Sequence, residues 1–156
     1  MTNPIETRLQ ALNIHLPQVS APVANYLGYV RTGNLLIISG QLPMVDGKII
    51  CQGQLGKDVS ISNAQAAAKQ CAINILAQAK AACEGDWSKI ARLVRLGGFV
   101  NATPEFQDHA QVINGASDFV CEVLGEKGKH ARAAVGCSSL PFGAAVEVEA
   151  TFELEI

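Results

Sequence analysis

The last eleven residues constrain the fold of this chain most. Val146, Val148, Ala150, Phe152, Leu154 and Ile156 are apolar, and Glu147, Glu149, Thr151, Glu153 and Glu155 alternate with them. A period of two is that of a strand with one buried and one polar face. A second strand reads differently. Leu35-Leu36-Ile37-Ile38 is an unbroken apolar run ending at Ser39-Gly40, which suits burial on both faces.

The rest of the chain supplies helices and turns for a sheet built on these strands. Asn3-Pro4-Ile5-Glu6 reads as a helix start, and Ile5, Leu9 and Leu12 then share one face of a helix ending before Pro17. A loop is expected over 18–25, a weakly alternating strand over Tyr26 to Arg31, and a turn at Thr32-Gly33-Asn34. Asp46-Gly47 marks a two-residue hairpin leading into a strand near Lys48 to Gln52. Ser62-Asn63-Ala64-Gln65 fits a capping box for an alanine-rich helix running to Glu84, with Ala64, Ala68, Cys71, Ile75, Ala79 and Ala82 as its apolar stripe. Ile90 to Asn101 reads as a strand. Thr103-Pro104-Glu105 is expected to open a second long helix that buries Phe106, Ala110, Ile113, Val120 and Leu124, with a loop over Gly125 to Lys129 after it. The order predicts an α+β domain spanning 1–156: one mixed sheet, two main helices on one face, and residues 1–20 as a helical extension. Two helices cover only one face, yet Leu35 to Ile38 puts apolar side chains on both. The uncovered face therefore calls for burial against another copy of the chain.

Composition narrows the function classes. Hydrophobic residues are 49% and charged residues 17%, which argues against disorder. A net charge of −2 gives no electrostatic reason to expect a nucleic-acid or anionic-membrane partner. No apolar run reaches the ~18 residues of a membrane span, and MTNPIETRLQ lacks the pattern of a signal peptide. Cys51, Cys71, Cys83, Cys121 and Cys137 are odd in number and lack metal-ligand spacing, so they read as free thiols in a reducing cytoplasm. Three scattered histidines offer no metal site, no nucleotide-binding fingerprint is present, and no cofactor is expected. His15 and His109 read as surface residues.

Chemistry concentrates between His130 and Ala150. Arg132 lies between Ala131 and Ala133, so nothing bulky beside it competes for the space around its guanidinium. Such a group holds a carboxylate through two parallel hydrogen bonds. If Arg132 and Glu147 stand on neighbouring strands joined through Leu140-Pro141-Phe142-Gly143, clamp and proton acceptor approach across the ladder. The bland alternative is a surface arginine and a solvated glutamate. Cys137 as a nucleophile would need a cationic neighbour that the sequence does not reveal. His130 is either an acid-base group or a solvated loop-edge residue.

His130-Ala131-Arg132 followed by Leu140-Pro141-Phe142-Gly143-Ala144-Ala145-Val146-Glu147-Val148-Glu149-Ala150 resembles the C-terminal signature of the RidA/YjgF family of imine and enamine deaminases, also called endoribonuclease L-PSP-like. Asn34 to Pro43, containing Ser39-Gly40-Gln41, is similar to that family's early strand, and the resemblance runs from Tyr26 to Ile156. It implies a chorismate-mutase-like homotrimer with clefts between subunits. It also implies that Arg132 grips the substrate carboxylate and Glu147 orients the attacking water. Tyr26 and Gly40 would line the pocket, and Asn114 would stand for the family's helix asparagine. His130 stands where the family often has proline and Ala134 where it often has cysteine, as in a divergent subgroup.

What the resemblance implies is cofactor-free hydrolysis of 2-imino or enamine acids to 2-oxo acids and ammonia. The rival is a non-catalytic binder of small carboxylic acids using the same arginine. Ribonuclease activity, attributed to some members, sits poorly with the acidic balance and the lack of a basic stripe. Chorismate mutase would rest on fold analogy alone.

Overall fold

The computed structural model describes residues 1–19 and 25–156. In chain order its elements are α1 (Pro4–Ala11), β1 (Tyr29–Thr32), β2 (Leu35–Gln41), β3 (Met44–Val45), β4 (Lys48–Ile49), α2 (Ile61–Ala82), β5 (Ile90–Asn101), α3 (His109–Leu124), β6 (Ala131–Cys137) and β7 (Val146–Leu154). The strictly alternating β7 takes the central position of a five-stranded sheet ordered β1-β2-β7-β5-β6. It pairs antiparallel with β2 on one side and with β5 on the other. β5 and β6 run parallel, so the sheet is mixed. Val146, Val148, Ala150, Phe152 and Leu154 are all buried beneath the helices, while the residues between them lie on the other face.

α2 and α3 pack side by side on that one face, as the pattern predicts, though each begins elsewhere than expected. Ser60, not Ser62, caps α2: its side chain accepts the Asn63 N–H at 3.1 Å. α3 starts at His109 and not at Thr103. Thr103 N–H is bonded to the Leu55 carbonyl at 3.0 Å, and Leu55 N–H to the Asn101 carbonyl at 2.8 Å. These ties hold the strand exit against a loop and delay the first turn of helix. The buried face of α3 is consequently Val112, Ile113, Ala116, Phe119, Val120, Val123 and Leu124, with Ala110 exposed and Phe106 outside the helix.

Smaller elements fall close to their predicted places. Asn3 caps α1, accepting the Ile5 N–H at 2.8 Å, and Ile5 and Leu9 are buried, although the helix stops at Ala11. Glu6 fastens that helix by accepting from Trp87 Nε1 at 2.7 Å and pairing with Lys80 at 2.7 Å. The Asp46-Gly47 hairpin forms, but β3 and β4 make a separate two-stranded sheet and residues 50–52 leave it. The first strand starts at Tyr29, leaving Tyr26 ahead of it. Residues 20–24 of the expected loop lie outside the described residues.

The apolar run of β2 divides as its period requires. Leu36 and Ile38 are 0% and 1% exposed, whereas Leu35 and Ile37 are 38% and 44% exposed on the helix-free face. Val30 of β1 at 49% and Val135 of β6 at 46% are likewise exposed. Among the described residues no helix covers this face, and its exposed apolar side chains stand on either side of the polar row of β7.

The helix pair tolerates little change where it is tightest. A Cβ on Gly115 of α3 would collide with the Gln65 carbonyl oxygen and stand 2.8 Å from Gln65 C and Cα, all backbone of α2. Helix propensity alone favours Gly115→Ala by about 1 kcal/mol. The collision outweighs it, and a net loss of about 1–3 kcal/mol is expected. Thermal unfolding should show it as a melting temperature lower by roughly 2–10 °C. An unchanged or higher melting temperature would show that the helices part freely there.

Candidate functional site

Arg132 is placed by the crossover from β5 to β6. Its partner in register is Leu96, fully buried beneath the helices, so Arg132 projects from the same face. There it meets α3. Arg132 Nη1 donates to Asn114 Oδ1 at 2.9 Å and to Ser117 Oγ at 3.1 Å, from residues three apart on one side of the helix. Among the described residues Arg132 has no carboxylate partner, and its Nε and Nη2 have no hydrogen-bond acceptor. A half-buried guanidinium with one nitrogen satisfied and one edge free can receive a planar anion.

Glu147 lies on the opposite face of the sheet. It alternates with the buried Val146 and Val148, and its carboxyl sits against Gly40, within the irregularity of the β2–β7 pairing between Ile38 and Gln41. A Cβ on Gly40 would strike Glu147 Oε1 and stand 3.0 Å from its carboxyl carbon, so glycine is what allows the approach. Partial burial, and then the Glu149 carboxylate two residues along, push the Glu147 carboxyl above its ordinary pKa. Tyr26 precedes β1 and is 66% exposed. It belongs to the same end of the sheet, because Ser39 Oγ donates to the Leu27 carbonyl at 2.6 Å and Ser39 N–H to that of Gly28.

The expected approach of Arg132 and Glu147 across one ladder does not occur. β5 lies between their strands, and they stand on opposite faces. Arg132 is level with Leu96 and Ala150, three residues along the sheet from Glu147. That is about 10 Å along and, over two strand spacings, about 10 Å across. The five candidates thus fall into two groups: Arg132 with Asn114, and Glu147 with Gly40 and Tyr26. A single ligand cannot touch both groups within one chain.

Two further polar residues adjoin Arg132. Ser117 Oγ is 2.9 Å from His130 Nε2, and His130 Nδ1 is 2.6 Å from the Gly128 carbonyl oxygen. In the sequence Ser117 carries no signal beyond its three-residue spacing from Asn114, and His130 fits either an acid-base group or a solvated loop-edge residue. His109 is half-buried, edge-on to Phe106 with ring centroids 5.4 Å apart, and not the surface residue expected. Cys137 closes β6.

The chain matches the sequence profile of the YjgF/chorismate mutase-like endoribonuclease family over residues 6–154. It is 47% identical over 151 residues to Protein TCP17 of Trypanosoma cruzi, covering 96% of this chain and 94% of that protein. The solved structure of Atu1372 from Agrobacterium tumefaciens is similar with a TM-score of 0.91 at 54% identity, covering 97% of this chain and 93% of that one. RidA from an Antarctic Psychrobacter is similar at 26% identity with a TM-score of 0.58, covering 87% and 94% of the two chains. The chain therefore belongs to the YjgF/RidA family. No helix among its described residues is long and apolar enough to cross a membrane.

The raised carboxyl has a consequence for stability. A glutamate whose pKa is higher folded than unfolded penalises folding once both states are ionised, and the penalty fades as pH falls towards the unfolded value of about 4.3. Glu147→Gln removes the ionisable group while keeping its shape. It should raise the melting temperature at pH 7, with the difference closing as the pH approaches about 4. A lower melting temperature at pH 7, or a difference indifferent to pH, would contradict this.

Proposed function

We propose that this member of the YjgF/RidA family hydrolyses reactive 2-imino and enamine acids to 2-oxo acids and ammonia, in a cleft completed between copies of a homotrimer. The observation that carries the reading is the free edge of Arg132. A half-buried cation held by Asn114 and Ser117, with no carboxylate partner among the described residues, is complementary to a small carboxylic acid. The proton acceptor the reaction needs is in the other group of residues, so a second copy must bring it. The exposed apolar side chains Val30, Leu35, Ile37 and Val135 on the face away from α2 and α3 supply a surface on which copies can associate.

In this mechanism Arg132 fixes the substrate carboxylate and thereby the position of C2. A water oxygen adds to C2 while the C=N electron pair moves onto nitrogen. Glu147, made more basic by its surroundings, takes a proton from that water and passes it to the nitrogen. Glu147 then carries the hydroxyl proton of the carbinolamine to the amine nitrogen, the C–N bond breaks with its electron pair going to nitrogen, and ammonia leaves as the C=O bond forms. An enamine first takes up a proton at C3. Tyr26 and Gly40 line the pocket beside Glu147.

The assay follows the decay of imines generated in place from several amino acids, alongside pyruvate binding. Two charge-assisted bonds are worth roughly 1.5–3 kcal/mol each, so Arg132→Ala should abolish hydrolysis and pyruvate binding, and Arg132→Lys should restore little. Hydrolysis retained by a folded Arg132→Ala protein would sink the mechanism. Pyruvate binding without turnover by the wild type would favour a carboxylic-acid binder instead.

Mixing tests the shared cleft. Glu147→Gln should lower kcat by about 10²- to 10⁴-fold with less effect on binding. Equal amounts of Arg132→Ala and Glu147→Gln chains, assembled together, should regain activity in about a quarter of sites if each site draws on two copies. No recovery in verified mixed assemblies would contradict the shared cleft.

A further inference from the structure

Arg132 does not stand alone on the edge of the sheet; a directed chain of hydrogen bonds ends on it. The Gly128 carbonyl can only accept, so the hydrogen in its 2.6 Å contact with His130 belongs to Nδ1. A neutral imidazole protonated at Nδ1 has a bare Nε2, which accepts the Ser117 hydroxyl at 2.9 Å. With its own hydrogen spent there, Ser117 Oγ faces Arg132 Nη1 as an acceptor at 3.1 Å. Nη1 gives its other hydrogen to Asn114. With the imidazole neutral, donation therefore runs one way, from Arg132 through Ser117 and His130 to Gly128.

The far end of the chain is rigid. Gly128 is buried, and a Cβ on it would stand 2.6 Å from the Val120 carbonyl oxygen and 2.9 Å from Cys121 Cα, so its backbone lies directly on α3. Asn114 and Ser117 belong to the same helix. His130 and Arg132, two apart in extended chain, present their side chains to it together. Both hydrogens of Nη1 are thus committed to groups fixed by α3. A carboxylate is left the side-on edge of the guanidinium, formed by Nε–H and the adjacent Nη2–H.

We propose that Ser117 and His130 are positioning residues that lock the Arg132 guanidinium in one plane and reserve its Nε/Nη2 edge for the carboxylate. This rests on the carboxylate reading of Arg132 for the identity of the ligand, and on the protein alone for the lock. His130 touches no substrate; it acts through Ser117.

The test separates the lock from a merely structural tie between His130 and Gly128. His130→Asn keeps a donor near the site of Nδ1 but cannot reach Ser117, whereas His130→Gln places an amide oxygen near the site of Nε2. At about pH 8, where imidazoles are neutral, pyruvate binding should weaken about tenfold in Ser117→Ala, His130→Ala and His130→Asn, and stay within about threefold of wild type in His130→Gln. The Ser117→Ala/His130→Ala double variant should be no worse than either single one, because both cut the same path. Rescue in His130→Asn and not in His130→Gln, or additive losses, would overturn the proposal.

A ligand-free readout keeps it decidable if the wild type binds no pyruvate, which would count against the proposed function and not against the lock. Nitrogen NMR should show His130 protonated at Nδ1, and hindered rotation of the Arg132 guanidinium that is released in Ser117→Ala and His130→Ala. A proton on Nε2, or equal rotation in all three proteins, would overturn it.

Discussion

The parallel pairing of β5 with β6 governs the site. Parallel neighbours cannot be joined by a hairpin, so the chain must cross over the sheet between them, and here it does so as α3. The crossover lays Asn114 and Ser117 over the strand that carries Arg132. The strand after β6 does not pair with it but lies on the opposite side of β5, where β7 forms the centre of the sheet. The crossover therefore builds the arginine half of the site, and the place of β7 beyond β5 keeps Glu147 out of it.

The two halves differ in their electrostatics, and each is incomplete. Around Arg132 the described residues supply neutral acceptors, Asn114 and Ser117, which orient the guanidinium without neutralising it. Around Glu147 it supplies partial burial and a second carboxylate, which make the negative charge costly. An anion belongs in the first half and a proton in the second. A small carboxylic acid undergoing attack by water brings both, which is why the chemistry proposed for the shared cleft suits two groups that no single chain unites.

Much of this was legible in the sequence, for reasons that are local. The alternation of β7, the unbroken run of β2 and the glycine-marked hairpin each follow from side-chain period or backbone preference, and each forms. The apolar face left open by the helices followed from counting the faces of Leu35 to Ile38. What the sequence hid was long-range. Nothing near Thr103 announces that its N–H is taken by Leu55, so the start of α3 was read six residues early. Nothing between Arg132 and Glu147 reveals that a strand laid down thirty or more residues earlier lies between theirs. His130 and Ser117 gain a reading only once helix and strand are superposed, since their spacing of 13 residues has no meaning along the chain.

The central claim is that Arg132 holds a carboxylate at a site shared between copies. A crystal structure of the protein grown with pyruvate tests it most directly. The expected result is the pyruvate carboxylate side-on to Nε and Nη2 of Arg132, with the partner subunit's Glu147 reaching toward the keto carbon across the interface. Pyruvate bound elsewhere, or an assembly in which no copy of Glu147 approaches Arg132, would contradict it.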